Sequence, residues 1–330
     1  MSGATVTAAA GARRLAYLPV ALFGSVMGLT GLSVAWTVAH QRYGVPAWIA
    51  TGIGGAAVLA FVALTIAYAI KAVSAPDAVR AEFRHPIAGS LFGTIPISLL
   101  LLPLVLAPYL PVLARAVWVV GAVAMTLLAW LIVSRWMADR QLVAHATPAW
   151  VIPVVGLLDV PLALPVLGLP PLHAVMVFGL AVGLFFAVPL FTLIFSRLLF
   201  EEPMPDALRP TLMILIAPFA VGFSAYTTTT GATDLFAEAL YVLTLFMLAV
   251  LLSRLWQLPV CCPFRVSWWA VSFPLAATAI TALKYAAAAD NLLADGIAVA
   301  ALALATLVIA GLAVRTLAGV ARGELRSLTL

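Results

Sequence analysis

The sequence predicts an all-α integral membrane protein with ten transmembrane helices, and three observations carry that prediction. The first is composition: 65% of the 330 residues are hydrophobic, only 9% are charged, and the mean hydropathy is +1.17. A soluble domain carries roughly a quarter charged residues to cover its surface, so most of this surface must face lipid. The second is that the apolar residues fall into ten runs, each close to the ~20 residues that cross a bilayer. The third is the distribution of positive charge. With a cytosolic N-terminus, fourteen of the seventeen Lys and Arg residues fall in inside loops and only Arg42, Arg115 and Lys284 outside, as positive-inside loops require. An odd number of spans would scramble that alternation, so both termini are expected in the cytosol.

The first segment, 15–39, follows a polar cytosolic tail, 1–14. It exceeds the apolar core of a signal peptide and no A-x-A site follows it, so it is expected to be retained. The second, 47–72, leads into a charged loop before the third, 87–108. The third and fourth (112–135) meet at residues 109–111. The fifth (148–167) and sixth (172–195) are separated by little more than residues 168–171. The seventh, 210–226, ends at four threonines, 227–230, which read as a polar external turn. The eighth is 235–255, the ninth 266–288 and the tenth 292–317. The membrane domain is thus 15–318, with 319–330 a second cytosolic tail.

Prolines divide these segments by parity. Pro96 lies in the third, Pro153 and Pro161 in the fifth, Pro218 in the seventh and Pro274 in the ninth, whereas the second, fourth, eighth and tenth have none in their interiors. The sixth has only Pro189 near its end. The first has Pro19 in its opening turn, then Gly24, Gly28 and Gly31, read as close-packing positions. Proline removes a backbone donor and bends a helix, and in hydrocarbon the freed carbonyl needs protein or a wet cavity beside it. Bent odd segments around a central path, with straight even ones outside, account for the parity. Prolines that merely shape packing in a solid bundle are the competing reading.

Four stretches in order then carry a resemblance: LPVALFGSVMGLTGL at 18–32, FRHPIAGSLFGTIPIS at 83–98, PTLMILIAPFAVGFSAY at 210–226 and FRVSWWAVSFPLA at 264–276. They resemble the tellurite-resistance/dicarboxylate transporter family, the TehA-like proteins related to the slow anion channels of plant guard cells, from about Leu18 to Leu317. The resemblance implies five helical hairpins with quasi-five-fold symmetry around a pore, commonly assembled as a homotrimer. It also implies a gate, a phenylalanine on the ninth helix directly before a proline, which here is Phe273 before Pro274. A ring across a narrow channel blocks ions sterically and leaves a dry constriction. One departure is that relatives often carry two prolines after the alanine of the seventh helix, whereas Ala217 is followed by Pro218 and Phe219.

Ionisable residues inside a membrane are costly and usually functional. Asp159 in the fifth segment is a candidate proton site, or a structural acid paired across helices. Lys284 lies near the expected external mouth, and Arg84 and His85 at the cytosolic end of the third segment. Each is a candidate for steering anions or an ordinary interface anchor. Trp268 and Trp269 read as an interfacial aromatic pair. The four histidines, 40, 85, 145 and 173, lack metal-ligand spacing, and adjacent Cys261 and Cys262 make an incomplete metal site, so no metal or cofactor is expected. No H-E-x-x-H, phosphate loop or G-x-S-x-G is present, so the chain does not read as an enzyme. The basic residues form no dense patch, and nucleic acid is not an expected partner; membrane lipid and inorganic or small organic anions are. The expected function is an anion channel of the bacterial inner membrane gated by Phe273. The alternative is a proton-coupled C4-dicarboxylate or sulfite carrier or exporter, with a tellurite-resistance phenotype compatible with either.

Overall fold

The computed structural model describes residues 15–170, 172–255 and 264–329; Cys261 and Cys262, read above as an inert pair, lie outside them. The long elements, in chain order, are α1 (Val20–Tyr43), α2 (Ala47–Ser74), a short amphipathic α3 (Pro76–Arg84), α4 (Ala88–Leu106) and α5 (Pro111–Ala138). The chain continues through α6 (Pro148–Asp159), α7 (Leu164–Leu167), α8 (His173–Phe200), α9 (Asp206–Thr230) and α10 (Leu235–Leu255). It ends with α11 (Val266–Ala289), α12 (Leu292–Ala321) and α13 (Leu325–Thr329). Among the described residues nine helices are long and apolar enough to cross a membrane.

The exception is the fifth predicted segment. It is not one helix: α6 is a mixture of 3₁₀ and α turns, residues 160–163 form a turn, and α7 adds a single turn ending at Gly168. Pro153, Pro161 and Pro165 each remove a backbone donor, so a continuous i→i−4 ladder cannot form there. Two carbonyls of this irregular stretch accept from side chains on α5. Trp118 Nε1 donates to Val160 O at 3.0 Å and Arg115 Nε to Leu167 O at 2.7 Å. Irregular backbone at membrane depth is tolerated only when enclosed in protein like this.

Burial separates two layers. The most apolar windows of α1, α4, α9 and α11 are 61–78% buried, against 17–33% for α2, α5, α8, α10 and α12. α6 is buried throughout. The outer helices carry large exposed apolar side chains, such as Leu59, Trp130, Phe185, Phe246 and Leu307, the surface of a protein solvated by lipid rather than water. The inner segments contact one another in a closed ring: α1 against α4, α4 against α6, α6 against α9, α9 against α11, and α11 back against α1.

The inner segments share a local break. Each starts as 3₁₀ helix and turns α part-way along: at Gly24, Thr94, Ile152, Ala217 and Ser272. Pro96, Pro153, Pro218 and Pro274 sit in the first residues of the α portion, where a missing N–H costs no helical bond. They mark a change of helix type rather than a kink in a continuous α-helix. In three segments a hydroxyl seals the junction by donating three residues back: Ser25 to Leu22 O (2.7 Å), Thr94 to Leu91 O (2.7 Å) and Ser272 to Trp269 O (2.6 Å).

Two local expectations are corrected. The four threonines are not a turn; they complete α9, with Thr227, Thr229 and Thr230 donating to carbonyls four residues back, and the chain turns at Gly231. Trp269 is not interfacial: it is buried, with Nε1 donating to Thr316 Oγ1 at 2.9 Å.

Candidate functional site

Two cavities lie inside the ring of inner segments. The larger, ≈ 260 Å³, is lined near the starts of the inner segments by residues such as Ala21 and Met27 of α1, Ile97 of α4, Val155 and Asp159 of α6, Ile214 of α9 and Ala270 of α11. Leu328 and Thr329 of α13 also reach its wall. The smaller, ≈ 50 Å³, lies further along the same segments among Gly31, Leu101, Leu162, Ser224 and Ala277. All five odd-numbered segments line both, and only Val221 and Phe273 are common to the two walls.

Phe273 therefore stands between the cavities, 8% exposed. It is placed by its neighbours. α11 crosses α1 at the glycines: a Cβ on Gly31 would lie 3.4 Å from the Phe273 ring and 2.9 Å from Ala276 Cβ. A Cβ on Gly28 would lie 2.2 Å from Ser272 Oγ. Only glycine permits that approach. Gly24 differs, since its nearest neighbour would be Trp269 at 3.8 Å, an ordinary contact. Pro274 follows the ring in the first turn of the α portion of α11, and Ser272 precedes it, linked to Gly24 O at 3.3 Å.

Of the other candidates, Asp159 lines the larger cavity, is 2% exposed, and its Oδ1 has no hydrogen-bond partner among the described residues. Lys284 lines the smaller cavity beside Ser224 and has no carboxylate partner among the described residues. Arg84 and His85 are exposed and line neither cavity; His85 Nδ1 instead accepts the Ile87 and Ala88 N–H groups as the chain leaves α3. Phe219, the departure noted on α9, packs edge-on against Phe191 of α8 at 5.6 Å, on neither wall.

Sequence reasoning missed the cluster that frames the wide end. Glu82 of α3 takes Lys71 Nζ at 2.6 Å, Tyr68 Oη at 2.9 Å and the Val20 N–H at 2.7 Å, while Lys71 Nζ also donates to Leu18 O at 2.6 Å. Lys71 is 3% exposed. These bonds satisfy the free end of α1 where Pro19 and Ala21 enter the cavity wall. The only signal in the sequence was Glu82, one of two acids that alternate with Arg80 and Arg84 in that loop.

The family model described as "SLAC1: Voltage-dependent anion channel" matches residues 17–317. The chain belongs to that family. Among its relatives, the S-type anion channel SLAH2 of Arabidopsis thaliana is 28% identical over 278 residues, covering 81% of this chain and 52% of the plant protein. The Arabidopsis S-type anion channel SLAH3 is 28% identical over 279 residues, covering 81% of this chain and 43% of its own. The chain thus spans about half the length of these plant relatives. The tellurite resistance protein TehA homolog of Haemophilus influenzae is 27% identical over 276 residues, with 81% of each chain covered. The resemblance read from the four sequence stretches holds: this is a SLAC1-type, TehA-like membrane protein of an anion channel and transporter family, not of an enzyme family.

Proposed function

We propose that this SLAC1-family chain is an anion channel of the bacterial inner membrane, with one central path closed by the Phe273 side chain. The observation that supports it most directly is that both cavities are walled by the same five segments and meet at Phe273. In this reading α6, the turn at 160–163 and α7 together make a tenth crossing, five hairpins repeat with quasi-five-fold symmetry, and both termini lie in the cytosol. The larger cavity is then the cytosolic vestibule, and Lys284 draws anions to the external side. Assembly as a homotrimer rests on the family resemblance alone.

The walls are mostly apolar, with no ring of charged side chains. Selection therefore rests on dehydration, which favours large, weakly hydrated anions over small, tightly hydrated ones. With Phe273 in place the path lacks room for a hydrated ion. Removing the ring joins the two spaces.

The test is anion current through purified protein in planar bilayers under an ionic gradient. Phe273→Ala is expected to raise the current by about tenfold or more, with an anion-selective reversal potential, because a dry constriction is lost. An unchanged current in a folded variant would remove the gate. The second reading, a proton-coupled dicarboxylate or sulfite carrier, is favoured by one observation, the buried acid Asp159 on the cavity wall. It requires liposome uptake driven by a proton gradient and abolished in Asp159→Asn.

A further inference from the structure

The larger cavity has few polar groups left to greet an ion. The hydroxyls of Thr94, Thr211 and Thr329 on its wall are committed to the carbonyls of Leu91, Leu208 and Arg326. Trp269 Nε1 is committed to Thr316. Arg265 also lines the cavity and has an interaction of its own. Two wall groups remain with a buried polar atom lacking any partner among the described residues: Asp159 Oδ1 and Ser267 Oγ.

Among the described residues no cation is bonded to Asp159: the 3₁₀ part of α9, which packs on α6, carries Asp206 and Arg209, paired with each other at 3.0 Å, and Arg265 on the same wall has its own interaction. The middle of α8, which bears on α6 through Gly179 and Gly183, is apolar, and its ionisable residues, His173 and Arg197, are at its two ends. α5 carries Arg115 and Arg135 near its ends, donating to Leu167 O and Phe83 O respectively. The α portion of α9 has only Tyr226, near its far end, and that of α4 has nothing that titrates. A carboxylate enclosed without a cation is among the most costly groups a protein can bury, and such a site accommodates the neutral acid instead. A neutral carboxyl carries an O–H, and the bond from O–H to an anionic oxygen is short and about twice as strong as a neutral one.

We propose that Asp159 is an oxyanion-binding group of the larger cavity. As the neutral acid it donates its O–H to one oxygen of a permeating carboxylate or comparable oxyanion. As the carboxylate it repels the same ion. The proton stays on Asp159 throughout; no group is transferred. A carboxylate oxygen is a more basic hydrogen-bond acceptor than chloride, so this site favours such oxyanions over chloride and does so only while Asp159 is protonated. The proposal deepens the channel reading and rests on it for permeation, but binding stands independently of it.

The experiment compares acetate and chloride permeability, from reversal potentials, in the Phe273→Ala protein with the vestibule side at about pH 5.5 and about pH 8.5. The acetate-to-chloride ratio is expected to fall about tenfold on alkalinisation, the worth of one hydrogen bond to a charged group. With Asp159→Asn added, the ratio becomes independent of pH. A ratio indifferent to both pH and the Asn substitution overturns the proposal. Infrared difference spectra on adding acetate to the purified wild-type protein give a readout that needs no conduction. A protonated-carboxyl C=O band that shifts with acetate and is absent in Asp159→Asn supports the site, and its absence from the wild type overturns it. If Phe273→Ala is silent while that band responds, the channel reading fails and the binding site stands.

Discussion

The two cavities are walled by the same five segments, and they differ about fivefold in volume. Towards their starts the segments are largely 3₁₀ and wall the ≈ 260 Å³ cavity, which extends past the junctions to residues such as Ile97, Asp159 and Val221; further along, all but the fifth are α-helical and wall the ≈ 50 Å³ cavity. A 3₁₀ helix is thinner, and its side chains at i and i+3 eclipse, so it offers poorer ridges for interdigitation. The α portions mesh through glycines and small residues, as Gly28 and Gly31 do against Ser272 and Ala276. The change of helix type, repeated around the ring, thereby sets where the path is wide and where it closes. The two ends are also tied differently. The wide end is held by the buried Lys71–Glu82 pair, the narrow end by the exposed Arg42–Asp290 pair and its neighbour Asp295, which also accepts the Tyr43 hydroxyl.

The variant expected to act most strongly is Phe273→Ala, which abolishes the distinction between the cavities and raises anion current as stated above. Next is Lys71→Met, which leaves Glu82 buried without its cation. Breaking a buried pair costs about 3–5 kcal/mol, so the variant is expected to unfold in detergent well below the wild type by thermal melt. Asp290→Asn at the narrow end, where the acid is 79% exposed and Arg42 keeps Asp295 as a partner, should leave the melt within experimental error. Equal shifts for the two would erase the difference between the ends.

Gly28→Ala comes third. Its Cβ would meet Ser272, forcing α1 and α11 apart beside the gate, and overpacking of this kind costs about 1–3 kcal/mol. Gly24→Ala, four residues earlier on the wall of the larger cavity, meets nothing closer than 3.8 Å and should be neutral or slightly stabilising. Comparable melting shifts for the two would contradict the packing contrast.

The smallest effect concerns Asp234, which caps α10 by accepting the Phe236 and Ala237 N–H groups. The Tyr226 hydroxyl first, and these N–H groups after it, hold its carboxyl below the ordinary 3.8. Its stabilisation is therefore full above about pH 3.8 and is lost as pH falls through the lowered value. Asp234→Asn should flatten a small acid dependence in the melt and lower the melt slightly at neutral pH, where the carboxylate's contribution is full. A variant that melts with the wild type's acid dependence would show the cap to be inert.

Much of this was legible in the sequence because it depends on residues that act locally. Proline parity separates the buried segments from the exposed ones apart from α8, which holds Pro189 in its interior, since a proline changes the backbone it sits in wherever the chain goes. Phe273 before Pro274 was legible only through the family motif, because one phenylalanine among sixteen has no local mark. The fifth segment was read as a full helix from its apolarity, yet three prolines break it; hydropathy reports burial and not backbone geometry. The Lys71–Glu82–Val20 cluster was invisible because its members come from three elements brought together only by folding. The contact of Gly28 with Ser272 joins opposite ends of the chain for the same reason.

The central claim is that the Phe273 ring closes the way between the two cavities, and thiol accessibility tests it most directly. In a background with Cys261 and Cys262 replaced by serine, Ala217→Cys reports on the larger cavity and Ala277→Cys on the smaller. A charged, membrane-impermeant thiol reagent is expected to label Ala217→Cys from one side of the membrane only and Ala277→Cys from the other side only. Adding Phe273→Ala should let the reagent reach both positions from either side. Labelling of both positions from one side with Phe273 intact, or sidedness that survives its removal, would contradict the account.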